Sequence, residues 1–155
     1  DVDLIMNLQG DEPAIDIEDI IRLNKKMVSS QSKMGTLAAN IKEPKDLSNK
    51  DIVKVITKKK LNESQFSEAR TFLRTSSKTD NIYHHIGIYC YSTETLEKFV
   101  KLDQTENEIK HKLEQLRALD NEINIDVALA KSASVGVDTE EDYLALKKIM
   151  EYKTR

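Results

Sequence analysis

Asp11 and Glu12 stand side by side in the stretch Asn7-Leu8-Gln9-Gly10-Asp11-Glu12-Pro13. The run before them, Val2-Asp3-Leu4-Ile5-Met6, is β-branched and apolar and predicts a buried strand; a helical pattern begins near Asp16. The acidic pair therefore falls on a strand-to-helix turn. In an open α/β sheet ligands settle in the crevice outside the carboxyl ends of the strands, and two carboxylates there can hold a hard cation that carries phosphates. Gly10 lets the backbone approach a ligand closely, and Pro13 stiffens the exit. Taken alone, these seven residues are better explained by acids that favour the positive end of the next helix.

A second block, Tyr83-His84-His85-Ile86-Gly87-Ile88-Tyr89-Cys90-Tyr91, has the aromatic and β-branched content of a strand. Alternation puts His85, Gly87, Tyr89 and Tyr91 on one face and Ile86, Ile88 and Cys90 on the other. Strands of a parallel sheet are usually apolar on both faces, so a His-x-Gly-x-Tyr face suggests a reachable pocket wall, with Gly87 leaving room for a ligand. A metal pair of His84 and His85 is disfavoured, because neighbouring strand residues point to opposite faces and the chain's one further histidine is His111.

Lys54 interrupts the apolar run Ile52-Val53-Lys54-Val55-Ile56. An ammonium is costly to bury, so its side chain is expected to reach water or an anion; an edge-strand lysine that blocks aggregation is an equal alternative. Glu114, Gln115 and Arg117 lie off the Ile109, Leu113, Leu116, Leu119 stripe of a helix opened by the Thr105-x-x-Glu108 capping box, which makes a solvated face their ordinary reading. In Gly136-Val137-Asp138-Thr139-Glu140-Glu141-Asp142 either Asp138 or Thr139 could cap the final helix, so Asp138 is explicable without any function.

The chain that must position these groups has 155 residues, enough for one domain with a real core. Its 24 Lys and Arg against 27 Asp and Glu give a net charge of -3 with both signs scattered, which argues against a basic nucleic-acid footprint. The run Lys58-Lys59-Lys60 reads as a solvated loop. One cysteine, Cys90, sits in an apolar strand pattern and excludes an internal disulfide. No apolar stretch approaches a membrane span and no signal peptide opens the chain, so a cytoplasmic protein with no membrane partner is expected. The chain starts at Asp1, inside a strand pattern, and reads as truncated at its amino end.

The elements follow in order. Asp16 caps a helix whose face is Ile17, Ile20, Ile21, Asn24, Met27 and Val28. Strands are expected over Met34 to Ile41, Ile52 to Ile56, Arg70 to Arg74, Tyr83 to Tyr91 and Asn124 to Leu129, with a polar hairpin or loop from Lys58 to Glu68. A short helix runs from Ser92 to about Val100, and the last helix turns Tyr143, Leu146 and Met150 inward. Strands alternating with helices predict an α/β layered sheet.

Together and in this order, Gln9-Gly10-Asp11-Glu12-Pro13, Met34-Gly35-Thr36-Leu37-Ala38, Val53-Lys54-Val55, Phe72-x-Arg74, His85-Ile86-Gly87-Ile88-Tyr89-x-Tyr91, Leu113-Glu114-Gln115-Leu116-Arg117-Ala118-Leu119 and Gly136-Val137-Asp138-Thr139-x-Glu141-Asp142 make the chain resemble the cytidylyltransferases that activate 3-deoxy-manno-octulosonate (KDO), the sugar acid of lipopolysaccharide cores. The resemblance implies a nucleotide-diphospho-sugar transferase-like α/β fold with a mixed, mostly parallel sheet. The implied reaction takes CTP and KDO to CMP-KDO and pyrophosphate. It implies magnesium held by Asp11 and Asp138, a sugar pocket of Gln9, Arg74, His85, Tyr89, Glu114 and Gln115, and Lys54 near the substrates. It also implies a homodimer when full length.

Departures are local, except one. Ser48-Asn49-Lys50-Asp51 replaces a usual proline and asparagine, Thr75-Ser76-Ser77-Lys78 replaces an Ile-Pro segment after Arg74, and His111 stands where an acid is common. The family's amino-terminal segment with its glycine-containing phosphate loop is absent, so residues 1–155 read as the carboxyl-terminal part of one domain. That part alone is expected to release no pyrophosphate and to self-associate through its uncovered sheet. Alternatives are an enzyme for another acidic sugar, such as a sialic acid or 8-amino-KDO, and a non-catalytic binding or assembly protein of the same fold.

Overall fold

A computed structural model of the chain describes residues 2–10, 14–133 and 140–153. The elements are β1 (Leu4–Leu8), α1 (Ile17–Ser30), β2 (Met34–Ala39), a 3-10 turn (Pro44–Leu47), β3 (Lys54–Thr57), β4 (Ser67–Leu73), β5 (Ile82–Ser92), α2 (Thr93–Phe99), α3 (Glu106–His111), α4 (Gln115–Asp120), β6 (Asp126–Leu129) and α5 (Glu140–Lys153). The expected layered α/β architecture with a mixed sheet is present. The strands run β1-β5-β2-β6-β4-β3, and β3 pairs again with the start of β5, so that β5, β2, β6, β4 and β3 close on themselves.

Parallel pairing is not the majority that was expected. Among the described residues β2 and β6 are parallel and the other pairings are antiparallel. The cause is β5, an eleven-residue strand that pairs antiparallel with β1, β2 and β3, together with β4, which runs antiparallel to both its neighbours, β3 and β6. β1 is half-buried rather than buried, because it is an edge strand paired to β5 alone.

Asp16 caps α1 as expected, its carboxylate accepting from the Glu18 N–H at 2.8 Å. The buried face is nevertheless rotated from the isoleucine stripe: Asp19, Leu23, Lys26 and Met27 turn inward, while Ile17, Ile21 and Val28 are exposed. Gly35 of β2 explains how closely the helix sits, since a Cβ there would run into the sulfur of Met27 and lie 3.3 Å from Leu23 Cδ1. Lys26 is tolerated inside with its ammonium 5.6 Å from the Phe66 ring centroid. In α5 Leu146 is buried, but Tyr143 is 54% exposed and does not face inward; the side chain of Met150 lies outside the description.

The single helix expected from Thr105 onward is two. Lys112, at φ 53°, ends α3 in a left-handed turn, and α4 starts three residues later. The break lets Arg117 fold back onto Glu108, its Nε donating to Oε2 at 2.7 Å and its Nη2 to Oε1. The guanidinium also lies 5.0 Å from the Phe99 ring centroid. Arg117 is thus the half-buried ion-pair partner of the buried Glu108 rather than part of a solvated face, and Ile109 is left exposed.

Candidate substrate site

His85, Tyr89 and Tyr91 follow one another along one face of β5, with ring centroids 5.5 Å and 6.0 Å apart. Alternation is as the sequence predicts: Tyr89 and Tyr91 pack with Phe72, Phe99, Leu113 and Leu116, while Ile86, Ile88 and Cys90 face α1. The face is more enclosed than expected, with His85 only 7% exposed between the rings of Phe72 and Tyr89. Between Thr36 and Leu37 the β2 register slips by two residues on β5, from Tyr89 to Ile86. An even slip keeps the alternation while breaking the ladder beside Gly87.

Thr36, which sequence reasoning passed over, fixes the His85 ring. Its hydroxyl donates to the Ile88 carbonyl at 2.6 Å and lies 2.9 Å from His85 Nε2. A hydroxyl has one hydrogen, so Nε2 must carry the donor and Nδ1 is left as an acceptor. Burial, and secondarily His84, push the His85 pKa down to about 3, so the ring is neutral at pH 7. Burial likewise raises the Tyr89 hydroxyl, helped by Tyr91 and Glu114. A neutral imidazole, two un-ionised phenols and the Glu114 carboxylate therefore share one neighbourhood. Gln115 is buried, while the Glu114 side chain is 66% exposed.

Arg74 closes the other side, two residues beyond Phe72, whose ring meets His85 edge-on at 5.0 Å. Its guanidinium donates to the carbonyls of Lys50 (3.1 Å), Lys112 (3.2 Å) and His111 (3.4 Å), tying β4 to the α3–α4 connection. Among the described residues three of its five N–H groups are thereby used.

Lys54 does not reach water or an anion as expected. It is 0% exposed, and β3 is paired on both sides, to β4 and β5. Its ammonium donates to the carbonyls of Asn49, Ile52 (2.7 Å) and Arg74 (2.7 Å), which leaves no N–H for a substrate. Lys54 therefore braces Arg74 from behind. Gln9 is exposed just past Leu8, which pairs with Ile88, so it leaves the sheet beside the Gly87 stretch. Asp11, Glu12 and Asp138 lie outside the described residues. Among the described residues no group of three or more His, Cys, Asp or Glu is placed to hold a metal, and no helix is long and apolar enough to cross a membrane.

The buried neutral histidine has a pH consequence. Its folded pKa, about 3, lies below the usual 6.5, so the unfolded chain takes up this proton first as pH falls. Stability should therefore drop from about pH 6.5 toward 3 by up to about 1.4 kcal/mol per pH unit from this group, with no dependence on it above 6.5. His85→Gln retains a donor and cannot titrate. Denaturant unfolding across pH 4–7 should show the parent losing stability faster than the variant; parallel curves would show that His85 is not a buried neutral group.

Comparison with known proteins fits this geometry. The family model described as cytidylyltransferase matches residues 1–126. The 3-deoxy-manno-octulosonate cytidylyltransferase of Bartonella henselae is 39% identical over 149 residues, 95% of this chain and 60% of that protein. The one from Thermodesulfovibrio yellowstonii is 39% identical over 153 residues, again 95% and 60%. The chain thus spans about 60% of the length of these curated relatives. A solved CMP:2-keto-3-deoxy-manno-octonic acid synthetase complexed with CTP superposes with a TM-score of 0.83 at 29% identity, covering 97% of this chain and 63% of that one. The UTP-bound UGPase of Acinetobacter baumannii, at 13% identity and a TM-score of 0.60 over 96% of this chain and 47% of its own, shares the fold alone. A match that runs from β1 through the whole His85 face to the start of β6 leaves little of the described sheet outside it: this chain belongs to the cytidylyltransferase family.

Proposed function

We infer that the chain serves a CTP-dependent cytidylyltransferase whose sugar substrate is 3-deoxy-manno-octulosonate. The anomeric hydroxyl oxygen of the sugar forms a bond to the α-phosphorus, the bond from that phosphorus to the β-phosphate oxygen breaks, and the hydroxyl proton is lost as pyrophosphate departs. Such a reaction asks for positioning and charge neutralisation rather than a protein nucleophile. The observation that supports the sugar assignment is the β5 face on which His85, Tyr89 and Tyr91 follow one another, with the Glu114 carboxylate close enough to add to burial in raising both phenols. An acceptor nitrogen, phenolic hydroxyls and a carboxylate match the donors and acceptors of a polyol. The guanidinium fork of Arg74 suits its carboxylate.

Asp11 and Asp138 supply hard carboxylate oxygens, the donor chemistry magnesium takes, and are the residues that would hold it. When bound, the ion would neutralise charge on the triphosphate. The biological setting in this reading is lipopolysaccharide synthesis in the cytoplasm. The exposed Ile17, Ile21 and Val28 of α1 are available for burial against further protein surface, such as a second subunit.

The test is steady-state kinetics of pyrophosphate release in a protein that joins this chain to the portion of the relatives it does not span. Arg74→Lys keeps the charge but loses the fork, and should raise KM for the sugar acid roughly 10- to 100-fold while leaving KM for CTP nearly unchanged. Impairment confined to CTP, or equal turnover of unrelated acidic sugars, would overturn the sugar assignment.

A further inference from the structure

We propose that Thr36 is a positioning residue that makes His85 an obligate hydrogen-bond acceptor toward the substrate, so that the group seated on this ring is a hydroxyl of the polyol and not the carboxylate. The inference rests on the reading above, in which the β5 face takes the sugar acid.

The count of protons leaves one arrangement. Thr36 is 0% exposed and stands on β2 opposite Tyr89, just before the register slip. Its single hydrogen has a close acceptor in the Ile88 carbonyl at 2.6 Å, with the Ile86 carbonyl farther off at 3.4 Å. What remains to the oxygen is to accept, and His85 Nε2 at 2.9 Å is the donor within reach. With the proton on Nδ1 instead, Nε2 and the Ile88 carbonyl would compete for one hydrogen and a buried acceptor would go unmet. That conflict biases the tautomers by roughly 10- to 100-fold.

Nδ1 has no polar partner among the described residues. The one sealed side-chain nitrogen or oxygen among them that lacks a partner is Lys26 Nζ, so Nδ1 is not closed off by the core. Phe72, edge-on at 5.0 Å, and Tyr89, at 5.5 Å, pack against the ring and oppose its turning to offer Nε2 instead. Burial keeps the ring neutral at pH 7, so no second proton converts Nδ1 to a donor. A bare nitrogen lone pair takes an O–H or N–H and repels carboxylate, ether and keto oxygens. The polyol is therefore turned toward His85 and the carboxylate away from it, where a guanidinium such as that of Arg74 is the fitting partner.

Packing alone does not account for the hydroxyl, since a valine would fill position 36 with no polar group to desolvate. Nor does tying down the Ile88 carbonyl, which would be complete without the imidazole. What the hydroxyl adds is a fixed tautomer.

The experiment uses the protein extended to the relatives' full length, with histidine labelled by nitrogen-15. Long-range proton–nitrogen correlation spectra read the tautomer of His85, whose signals are identified by their loss in His85→Phe, and steady-state kinetics are run in parallel. The parent should carry its proton on Nε2, and adding 3-deoxy-manno-octulosonate should move the Nδ1 resonance upfield, as for a nitrogen that accepts a hydrogen bond. Thr36→Val should lose the single tautomer and raise KM for the sugar acid at least about tenfold, with KM for CTP unchanged. Thr36→Ser keeps the hydroxyl and should restore both readings. If Thr36→Val does not fold, the parent's tautomer and its Nδ1 response to the sugar acid carry the test. A proton on Nδ1 in the parent, an Nδ1 resonance unmoved by the sugar acid, or a Thr36→Val protein with the parent's KM or the parent's tautomer would overturn the positioning role. The site reading would still stand if His85→Phe raises KM for the sugar acid. If His85→Phe leaves that KM at the parent's value, the site reading has failed and the positioning role with it.

Discussion

Asp11→Asn and Asp138→Asn, each made in the protein extended to the relatives' full length, are expected to lower turnover by roughly two to three orders of magnitude. Asn preserves shape and one oxygen donor but removes a negative charge. What is lost is therefore charge placed where the transferring phosphoryl group needs it, not packing. The sugar should bind as before, since other side chains, Gln9, Arg74, His85, Tyr89, Glu114 and Gln115, are assigned to it. Accordingly kcat and kcat/KM should fall together, and added magnesium should recover part of the loss. The two variants should also be strongly non-additive, because either one alone disables the shared function. Near-normal turnover of both variants would remove the aspartates from the chemistry.

How much of this was legible beforehand depended on whether the deciding interaction was local. The Asp16 cap and the alternation of His85, Tyr89 and Tyr91 against Ile86, Ile88 and Cys90 were readable because each depends on neighbours within a few residues. The face that α1 buries was not. A hydrophobic period picks Ile17, Ile21 and Val28, but the helix turns Asp19 and Lys26 inward because partners distant in sequence, Lys131 and Phe66, receive them. The break at Lys112 was equally hidden, since its left-handed turn is held by Arg74, which takes the carbonyls of His111 and Lys112. Thr36 stood inside a family motif with no role attached; its role appears only when β2 is set against β5. The aspartates of the proposed metal site came from family motif alone.

Lys54→Met should destabilise this chain by about 3 kcal/mol, and the sign of that effect is itself informative. Burying an ammonium costs several kcal/mol, so exchanging a buried charge for an apolar side chain of similar length can be neutral or favourable when its partners leave with it. Here they stay. The carbonyls of Asn49, Ile52 and Arg74 that surround the ammonium are fixed by the 3-10 turn region, by β3 and by the end of β4, and the variant leaves them without a donor. Each unmet acceptor costs about 1–3 kcal/mol, reduced where water can enter beside the exposed Asn49. The balance favours loss, and the melting temperature should fall by roughly 6–12 °C. Function should follow through Arg74. Its backbone is one of the three anchors of Lys54, and its guanidinium reaches back to Lys50. Loosening the brace should therefore raise KM for the sugar acid and leave kcat nearly unchanged at saturating substrate. A lysine acting directly on the phosphates would give the opposite pattern, a collapse of kcat with little change in melting temperature, and that result would return Lys54 to the reacting atoms.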